Sequence, residues 1–586
     1  MTRHRCVWVS VVLVAGLIAL LYLPALKHDF VNWDDPLLVV NNHSIRSLSP
    51  AGIARLFSSF HVGHYHPLTM LTYAVEWRWW GPSPAVYHAT NLLIHVINAL
   101  LALGLVFLWS KNLWVAVFSA LLFGIHPLHV ESVAWVAERK DVLYSSFYLG
   151  ALLSYGFFLR TTRRRFYYLC LILFLLSLLS KVMAVTFPLV LLWMDRSARP
   201  STLKNAWAEK TPFFLLCFLA VTVNLFAEYR TWAPSVLSDG PRWVDRFFLP
   251  SYSVLFQWMK TLLPFNLSCL YPYPDRISVS YIGSPVVLAL VLGMVWRVRH
   301  RFPPALFGTG FFLIVFLPVS QLLPLPDISV TNDRYHYLAS LGLFYAGGEL
   351  LRLLWGGPPR LYWRRGIFLF VALWVVGLGI LTHRRTAVWR DSLSLWNDVL
   401  SKYPATPFAY NNRGLYFYQN GEDSQAEADF RRVLVLNPYH VEAWNNRGLL
   451  QLRRKEYRTA IFSFNRALRL RPDFVQALHN RGVARLDSGY LEEALTDFDR
   501  VIALDPEDGE AYYNRGNLYQ RMGLKDKAIE DYGKAICLKP DYGHAYNNRA
   551  IVYFSMGDVN GARNDVRQAL KLGLPVSPDF LRVLEI

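Results

Sequence analysis

The sequence predicts an all-α protein in two parts, a polytopic membrane domain with about eleven spans and a C-terminal α-solenoid. Hydrophobic residues make up 54% of the 586 residues and charged residues only 17%. Before about residue 385 long apolar runs alternate with short charged loops, whereas beyond it charges are dense and regular. We therefore expect a membrane domain over 1–385, a linking helix over 386–407 and the solenoid over 408–586.

Basic residues predict the orientation of the membrane domain. Much of the net charge of +18 lies in short loops between apolar runs, which is typical of cytoplasmic loops and argues against nucleic-acid binding. The first apolar run, from Cys6 to Leu26, is long enough to span and lacks a small-x-small cleavage site after it, so we expect it to stay attached. The five cysteines are far apart and predict neither a disulfide framework nor a zinc motif.

The predicted spans bring the polar residues of several loops to one face. The spans are 7–26, 91–110, 113–131, 142–159, two crossings within 166–194, 211–228, 281–297, 303–323, 335–352 and 366–382. With a cytoplasmic N-terminus, the opposite face receives 27–90, 130–141, the turn near Lys181, 229–280 and 324–334. We expect a non-cytoplasmic active site.

Asp34 and Asp35 are the first functional candidates. They end the stretch Phe30-Val31-Asn32-Trp33-Asp34-Asp35, just past the first apolar run. Charge at a membrane face is costly unless it has a task. The alternative is that this pair only caps or solvates a loop beside the headgroups.

Histidines and asparagines supply a second set of candidates. His88, Asn91, His95 and Asn98 recur at i, i+3, i+7 and i+10, so they form one polar stripe on an apolar helix. In a bilayer this stripe must face other protein or a wet cavity, and bonds between helices alone are the alternative. His66 follows two other histidines in the first outer loop, where we expect hydrogen-bonding or substrate-lining roles rather than metal ligation.

The end of the third span carries several charges. Pro127 should stop the spanning helix, which leaves two histidines, two acids and two bases on an outer segment. His126 and His129 with Glu131 allow a cation site, but their spacing is not a recognised zinc pattern. A simpler account is that Arg139, with its neighbouring lysine, positions anionic substrate groups.

Two further cations lie in or beside apolar runs. Lys181 stands in the middle of Leu179-Ser180-Lys181-Val182-Met183, so it either reaches the outer surface or pairs with an anion. Arg334 opens the tenth span from the outside, where we expect it to meet a lipid phosphate.

From about residue 405 the sequence repeats itself every 34 residues. Tyr410-Asn411-Asn412-Arg413-Gly414 returns as Trp444-Asn445-Asn446-Arg447-Gly448 and three times more, a period typical of tetratricopeptide repeats. Such stacks form a concave surface suited to extended peptides. We expect peptide contacts from Asn412, Asn446, Asn480, Asn514 and Asn548. Solvation and bonding within repeats are the alternative.

The ordered set of motifs resembles a known family over nearly the whole chain. Its members in this sequence are 30–35, 87–98, 126–141, Ser180-Lys181 and Asp333-Arg334-Tyr335, followed by the repeats. They resemble the transmembrane and tetratricopeptide-repeat (TMTC-type) proteins, which are similar to protein O-mannosyltransferases of the membrane-embedded GT-C glycosyltransferase class. The wording of 135–141 is closer to prokaryotic relatives than to animal ones.

The resemblance implies a GT-C-like membrane domain that transfers a sugar, mannose in the family, from a polyprenyl-phosphate donor to hydroxyl groups of a protein acceptor. In GT-C enzymes an acid in the first outer loop commonly activates the acceptor hydroxyl or holds a divalent cation, such as Mg²⁺ or Mn²⁺. That role would fall on Asp34 or Asp35. The donor phosphate would be bound by Arg139, Lys140, Lys181 and Arg334. The substrate-lining set is His66, His88, Asn91, His95, His126, His129, Glu131, Glu138 and Asp141. Metal ligands and cofactors stay open.

The expected location is a multi-pass integral membrane protein with the solenoid on the same side as Asp34. This means the bacterial inner membrane with a periplasmic solenoid, or the endoplasmic reticulum with a lumenal one in a eukaryote. The competing hypothesis is a non-enzymatic, membrane-anchored scaffold for the assembly of envelope or secretory proteins. A transporter would predict inverted internal repeats, and none is evident.

Overall fold

The computed structural model describes residues 2–198, 203–231, 243–274, 278–322, 329–356 and 361–586. Within these ranges the chain is helical and forms no β-strand beyond two isolated bridges, which confirms the all-α class. It divides into two units, Met1–Pro404 and Ala405–Ile586. Parts of the predicted outer loops 229–280 and 324–334, namely 232–242, 275–277 and 324–328, lie outside the described residues, as do 199–202 and 357–360 of the predicted basic loops.

The first unit contains sixteen α-helices. They are α1 (Thr2–Tyr22), α2 (Pro50–Ser58), α3 (Pro67–Trp80), α4 (Pro84–Ser110), α5 (Leu113–Ile125), α6 (Val130–Ala134), α7 (Arg139–Thr161), α8 (Arg164–Ser180), α9 (Phe187–Ala198), α10 (Leu203–Thr231), α11 (Trp243–Leu262), α12 (Val279–Val298), α13 (Pro303–Phe316), α14 (Ser340–Trp355), α15 (Leu361–Val388) and α16 (Ser392–Lys402). This count refers to the described ranges.

Six of these helices are long and apolar enough to cross a membrane, judged on the described residues. Together with adjoining 3₁₀ turns, they give the candidate spans Arg5–Lys27, Pro84–Ser110, Val136–Thr161, Trp207–Tyr229, Val279–Val298 and Arg364–Val388. A seventh results if α5 and the segment Pro127–Ala134, bent by 52°, count as one span. The expected eleven crossings are not confirmed, because helices such as α8 and α14, with 17 and 16 residues, fall short of the roughly 20 that a bilayer needs.

The centre of the membrane unit is formed by α4, α5 and α7, with α8 packed on α7 and α14 on α5. Helix α13 packs on α14 through two facing glycines. A Cβ atom on Gly308 would lie 2.1 Å from the carbonyl oxygen of Gly342. Only glycine therefore permits this close contact, as is common where helices pack in membranes.

The second unit contains helices α17 to α27. They are α17 (Pro407–Gln419), α18 (Asp423–Leu436), α19 (Val441–Arg453), α20 (Tyr457–Leu470), α21 (Val475–Ser488), α22 (Leu491–Leu504), α23 (Gly509–Arg521), α24 (Lys525–Leu538), α25 (Gly543–Ser555), α26 (Val559–Lys571) and α27 (Pro578–Val583). Each consecutive pair from α17 to α26 forms one repeat of the predicted solenoid, and α27 follows the fifth repeat. The alanine and aromatic positions of the second helices, for example Ala494 and Phe498, are fully buried.

In four repeats, a glycine at the equivalent position of the first helix packs against the aromatic ring of the second helix. A Cβ atom on Gly482 in α21 would lie 2.8 Å from Phe498 Cε1. We expect Gly482→Ala to lower the free energy of unfolding of the solenoid by about 1–3 kcal/mol, because the ring must shift inside a packed core. Urea titration of the full chain in detergent, followed by circular dichroism, measures this change.

Gly533→Ala in α24 is the matched control. Its nearest neighbour would be Arg549 Nη1 at 3.5 Å, an ordinary contact. Since alanine favours a helix over glycine by about 1 kcal/mol, this variant should be neutral or more stable. Equal destabilisation by both substitutions would contradict the packing argument.

Candidate active site in the membrane domain

Asp35 holds the loop that follows α1 against the segment just before α7. Its side chain is 1% exposed, and the two carboxylate oxygens accept hydrogen bonds from the backbone N–H groups of Val31 at 2.9 Å and Ala137 at 2.8 Å. Burial raises the pKa of Asp35 to about 7, although both N–H donors favour the charged form. Both oxygens are thus engaged in holding the backbone.

Asp34 is placed differently from its neighbour. It is half-buried, and within the described ranges its carboxylate accepts no hydrogen bond. Burial raises the pKa of Asp34, while the nearby charges of Lys140 and Arg334 act against this rise. The charges of Lys140 and Arg334 thus act on this carboxylate, which retains free lone pairs.

Glu138 is the centre of a group of cations. Its Oε1 atom lies 3.3 Å from Lys140 Nζ and 3.4 Å from Arg334 Nε, and its Oε2 atom lies 3.3 Å from Lys181 Nζ. The three cationic side chains are 12% to 16% exposed, whereas Glu138 is 2% exposed. We call Lys140, Lys181 and Arg334 the cation cluster. One buried acid brings together three segments that are distant in sequence, and each cation keeps an accessible side.

Two more buried acids pair with members of the cation cluster. Arg334 Nη1 lies 2.6 Å from Glu131 Oε1, and Lys181 Nζ lies 2.5 Å from Asp141 Oδ1. With Glu138 this gives three carboxylates against three cations. Lys181 thus pairs with anions, one of the two predicted outcomes. The break between α8 and the following 3₁₀ turn, Val182–Thr186, places it there.

Arg139 does not join the cation cluster. Its side chain is fully buried, and its guanidinium donates to Asn91 Oδ1 at 2.8 Å, to the Tyr87 carbonyl oxygen at 2.9 Å and to Thr72 Oγ1 at 3.3 Å. It also pairs with Glu76. A guanidinium occupied on all sides favours a structural role over the predicted contact with donor phosphate.

The predicted polar stripe of α4 faces other protein. His95 contacts the Tyr337 hydroxyl at 2.7 Å and the Gly124 carbonyl oxygen at 3.0 Å, and Asn98 Nδ2 donates to Tyr337 at 3.0 Å. Asn91 Nδ2 donates to the carbonyl oxygen of Trp135 at 3.1 Å. These bonds join α4 to α5 and to the segments before α7 and α14. Hydrogen bonding to other parts of the protein, the alternative to lining a wet cavity, thus accounts for Asn91, His95 and Asn98.

His126 and His129 are also engaged by neighbouring segments. His126 Nε2 lies 3.0 Å from the Thr261 carbonyl oxygen, while the two ring nitrogens of His129 lie 2.6 Å from the Phe123 carbonyl oxygen and 3.1 Å from Ser340 Oγ. Among the described residues no three His, Cys, Asp or Glu side chains are grouped so that they could hold a metal ion.

His66 and His88 are buried without a partner for either ring nitrogen in the described part of the chain. His88 packs edge-on against His28, with the ring centroids 5.9 Å apart. His66 precedes α3, and burial together with the charges of Lys140 and Lys181 holds its pKa well below the usual range. The charges of two members of the cation cluster thus act on His66.

Tryptophans adjoin the site and were not predicted. Trp33 stacks on Trp135 with ring centroids 4.6 Å apart, and Trp135 stacks on Trp389 at 5.4 Å. Trp396 lies 5.3 Å from Trp33. The adjacency of Trp33 to Asp34 was the available signal, but nothing in the sequence linked it to residues after the last span.

Four of the five asparagines predicted to contact peptide form hydrogen bonds between neighbouring repeats of the solenoid. Asn412 is buried, and the other four asparagines are half-buried. Their side chains bond one repeat back, in the pairs Asn446–Asn411, Asn480–Asn445, Asn514–His479 and Asn548–Tyr513, at 2.8–3.0 Å. Bonding between repeats was not among the expected alternatives. Peptide contact by these residues stays a prediction.

Comparison with known proteins adds independent information on both units. Family models described as "Tetratricopeptide repeat" match residues 382–440, 441–474, 509–542 and 543–573, and one described as "TPR repeat" matches 484–523. Among solved structures, the chain is similar to "Crystal structure of MamA", with 28% identity, 27% of this chain and 94% of that chain covered, and a TM-score of 0.26.

Curated relatives match most of the chain. "Protein O-mannosyl-transferase F38B6.6" of Caenorhabditis elegans is 24% identical over 71% of this chain and 61% of its own length. "Protein O-mannosyl-transferase TMTC1" of Homo sapiens is 26% identical over 73% of this chain and 55% of its own length. The chain thus spans little more than half of these relatives. In its apolar helices, its tetratricopeptide repeats and these matches, the chain is similar to the TMTC-type proteins.

Proposed function

We propose that the chain is a membrane glycosyltransferase that moves a sugar from a polyprenyl-phosphate donor to hydroxyl groups of a protein acceptor on the non-cytoplasmic face. The observation that carries this proposal is the group of three partly accessible cations around Glu138, two of which, Lys140 and Arg334, act by their charge on the half-buried carboxylate of Asp34. A base beside a group of cations suits a reaction that removes a proton and releases a phosphate. The relatives are named protein O-mannosyl-transferases, which supports mannose as the sugar and protein as the acceptor.

The chemistry assigns one task to each group. Asp34 accepts the proton of the acceptor hydroxyl as its oxygen attacks the anomeric carbon of the sugar. The bond between this carbon and the phosphate oxygen breaks, and the polyprenyl phosphate leaves with the electron pair. Lys140, Lys181 and Arg334 stabilise the developing phosphate charge, in a site where part of the water is excluded. The lipid tail of the donor stays in the bilayer.

Asp35, in this proposal, holds the loop that carries Asp34. Both oxygens of its carboxylate accept backbone N–H donors, so the side chain is engaged in fixing the loop rather than in contact with an acceptor hydroxyl. Among the described residues, Glu131, Glu138 and Asp141 are paired with lysine and arginine, so these three acids are not available to hold the divalent cation implied by the resemblance. No step is therefore assigned to a metal.

The solenoid presents the acceptor in this proposal. Tetratricopeptide repeats commonly bind extended peptides, and the chain enters the repeats from α16, which contacts the loop before Asp34. This contact supports placing the solenoid on the same side of the membrane as Asp34, in the periplasm of a bacterium or the lumen of the endoplasmic reticulum.

Replacing Asp34 tests the proposed base. We expect Asp34→Asn to lower the rate of sugar transfer by about 10²–10⁴-fold, because an amide cannot accept the proton. The wild-type rate should fall with decreasing pH, with a midpoint above the ordinary pKa of an aspartate, since the base must be ionised and burial raises its pKa. Transfer from polyprenyl-phosphate mannose to an acceptor protein in detergent measures both.

Asp35→Asn separates the two acids. Its amide N–H₂ would face a backbone N–H donor, so the yield of folded protein in size-exclusion chromatography should fall. A wild-type level of product from Asp34→Asn would refute the base and favour the scaffold hypothesis.

Lys140 and Arg139 are adjacent in sequence, but their substitution should have different effects, on donor binding and on stability respectively. Lys140→Met should weaken binding of polyprenyl phosphate by about 10- to 100-fold, since a hydrogen bond to a charged group contributes about 1.5–3 kcal/mol. Arg139→Met should lower the stability of the membrane domain by about 3–5 kcal/mol, because Glu76 loses its buried partner. Binding titrations in micelles and thermal unfolding distinguish these outcomes. Normal stability with lost binding in Arg139→Met would restore its predicted contact with phosphate.

The membrane orientation has its own test. Single cysteines at position 34 and at the exposed position 454 of the solenoid should react with a membrane-impermeant thiol reagent from the same side of intact vesicles. Labelling of the two positions from opposite sides would overturn the proposal that the solenoid serves the site.

A further inference from the structure

Helix α16 contacts the loop that carries Asp34. The backbone N–H of Asn32 donates to Ser392 Oγ at 2.9 Å, and Trp396 Nε1 donates to Asn32 Oδ1 at 2.7 Å. Just before α16, the Arg390 carbonyl oxygen accepts from the backbone N–H of Asp29 at 2.9 Å. Three hydrogen bonds thus fix residues 29–32, immediately before Trp33 and Asp34.

Aromatic packing continues this contact up to Asp34. Trp33 lies between Trp135 and Trp396, with ring centroids 4.6 Å and 5.3 Å away. Trp389, between α15 and α16, stacks on the far face of Trp135. Trp135, Trp389 and Trp396 are fully buried. The residue that directly precedes Asp34 is therefore held by rings from after the last span.

The same helix also contacts the loop that carries Arg334. Asp398 of α16 accepts from Arg385 Nη1 at 2.7 Å, and Arg385 Nη2 lies 3.8 Å from Asp333 Oδ2. Tyr271 donates its hydroxyl to the other oxygen of Asp333 at 2.7 Å. Since Asp333 directly precedes Arg334, α16 is linked both to the proposed base and to one cation whose charge acts on it.

We infer that α16 is a positioning element of the site, and that Ser392 and Trp396 act through Asn32 to set the distance from Asp34 to the cation cluster. This inference rests on the proposed function. Helix α16 ends at Lys402, just before the solenoid unit begins at Ala405. A repeat model matches 382–440, and the part of this match that contains α16 lies in the membrane unit.

The test compares two tryptophan substitutions in the full chain. Trp396→Phe keeps a ring beside Trp33 and removes the hydrogen bond to Asn32. Trp193→Phe is the matched control, because Trp193 Nε1 also donates a hydrogen bond in the same domain, in its case to the carbonyl oxygen of Phe307 at 3.1 Å. We expect Trp396→Phe combined with Ser392→Ala to lower kcat about 10- to 100-fold with the donor KM unchanged. The control should keep the wild-type kcat.

A double substitution shows whether the effect passes through Asp34. In an Asp34→Asn background, Trp396→Phe should cause no further loss, because groups that act as a unit are not additive. A merely structural role would lower activity in both backgrounds and lower the unfolding temperature. Wild-type kcat in Trp396→Phe with Ser392→Ala, alongside an inactive Asp34→Asn, would overturn the inference and leave the proposed function intact.

A second measurement does not depend on catalysis. In a chain whose exposed Cys6 and Cys537 are replaced by serine, an Asp34→Cys variant should react with a thiol reagent at a rate that Trp396→Phe changes several-fold and Trp193→Phe does not. An unchanged rate would overturn the inference even if no sugar transfer were found.

Discussion

The ion pairs around Glu138 are the interaction on which the rest of the site depends. In a membrane-embedded unit, a buried charge is tolerated only with a partner, and removal of one partner is strongly destabilising. Glu138 contacts Lys140 on its own segment, Lys181 after α8 and Arg334 before α14. The need to neutralise one acid thus draws three chain segments to one point. Because Glu131 and Asp141 add two more acids, each cation is held firmly while part of it stays accessible to an incoming anion.

Adjacent acids acquire different roles because successive residues of a loop point in different directions. Asp35 points inward to two backbone N–H groups, so its task is to fix the loop. The charges of Lys140 and Arg334 act on Asp34, which keeps its lone pairs. Arg139 and Lys140 also differ: Arg139 fills a buried pocket between α3 and α4, and Lys140 pairs with Glu138. Sequence proximity to a reactive group is therefore a poor guide to participation in the reaction.

Much of the polar content of the membrane unit serves packing. Asn91, His95 and Asn98 place hydrogen bonds where apolar contact alone would leave α4 free to rotate. The solenoid uses the same device, since asparagines bond from one repeat to the next while Arg481 pairs with the buried Asp497 of its own repeat. These contacts fix the register of neighbouring helices, which repeats with small apolar cores require.

The sequence by itself determined the all-α class, the division into an apolar part and 34-residue repeats, and the candidate acids and cations. Hydropathy and periodicity are local properties that one chain segment carries alone. Only the tertiary structure decided that Asp35 rather than Asp34 is bound by two backbone N–H groups, that Arg139 is enclosed, and that Trp389 and Trp396 pack beside the first loop. Those outcomes depend on the direction of side chains and on contacts between residues that are distant in sequence, up to 364 positions apart, which no local pattern encodes.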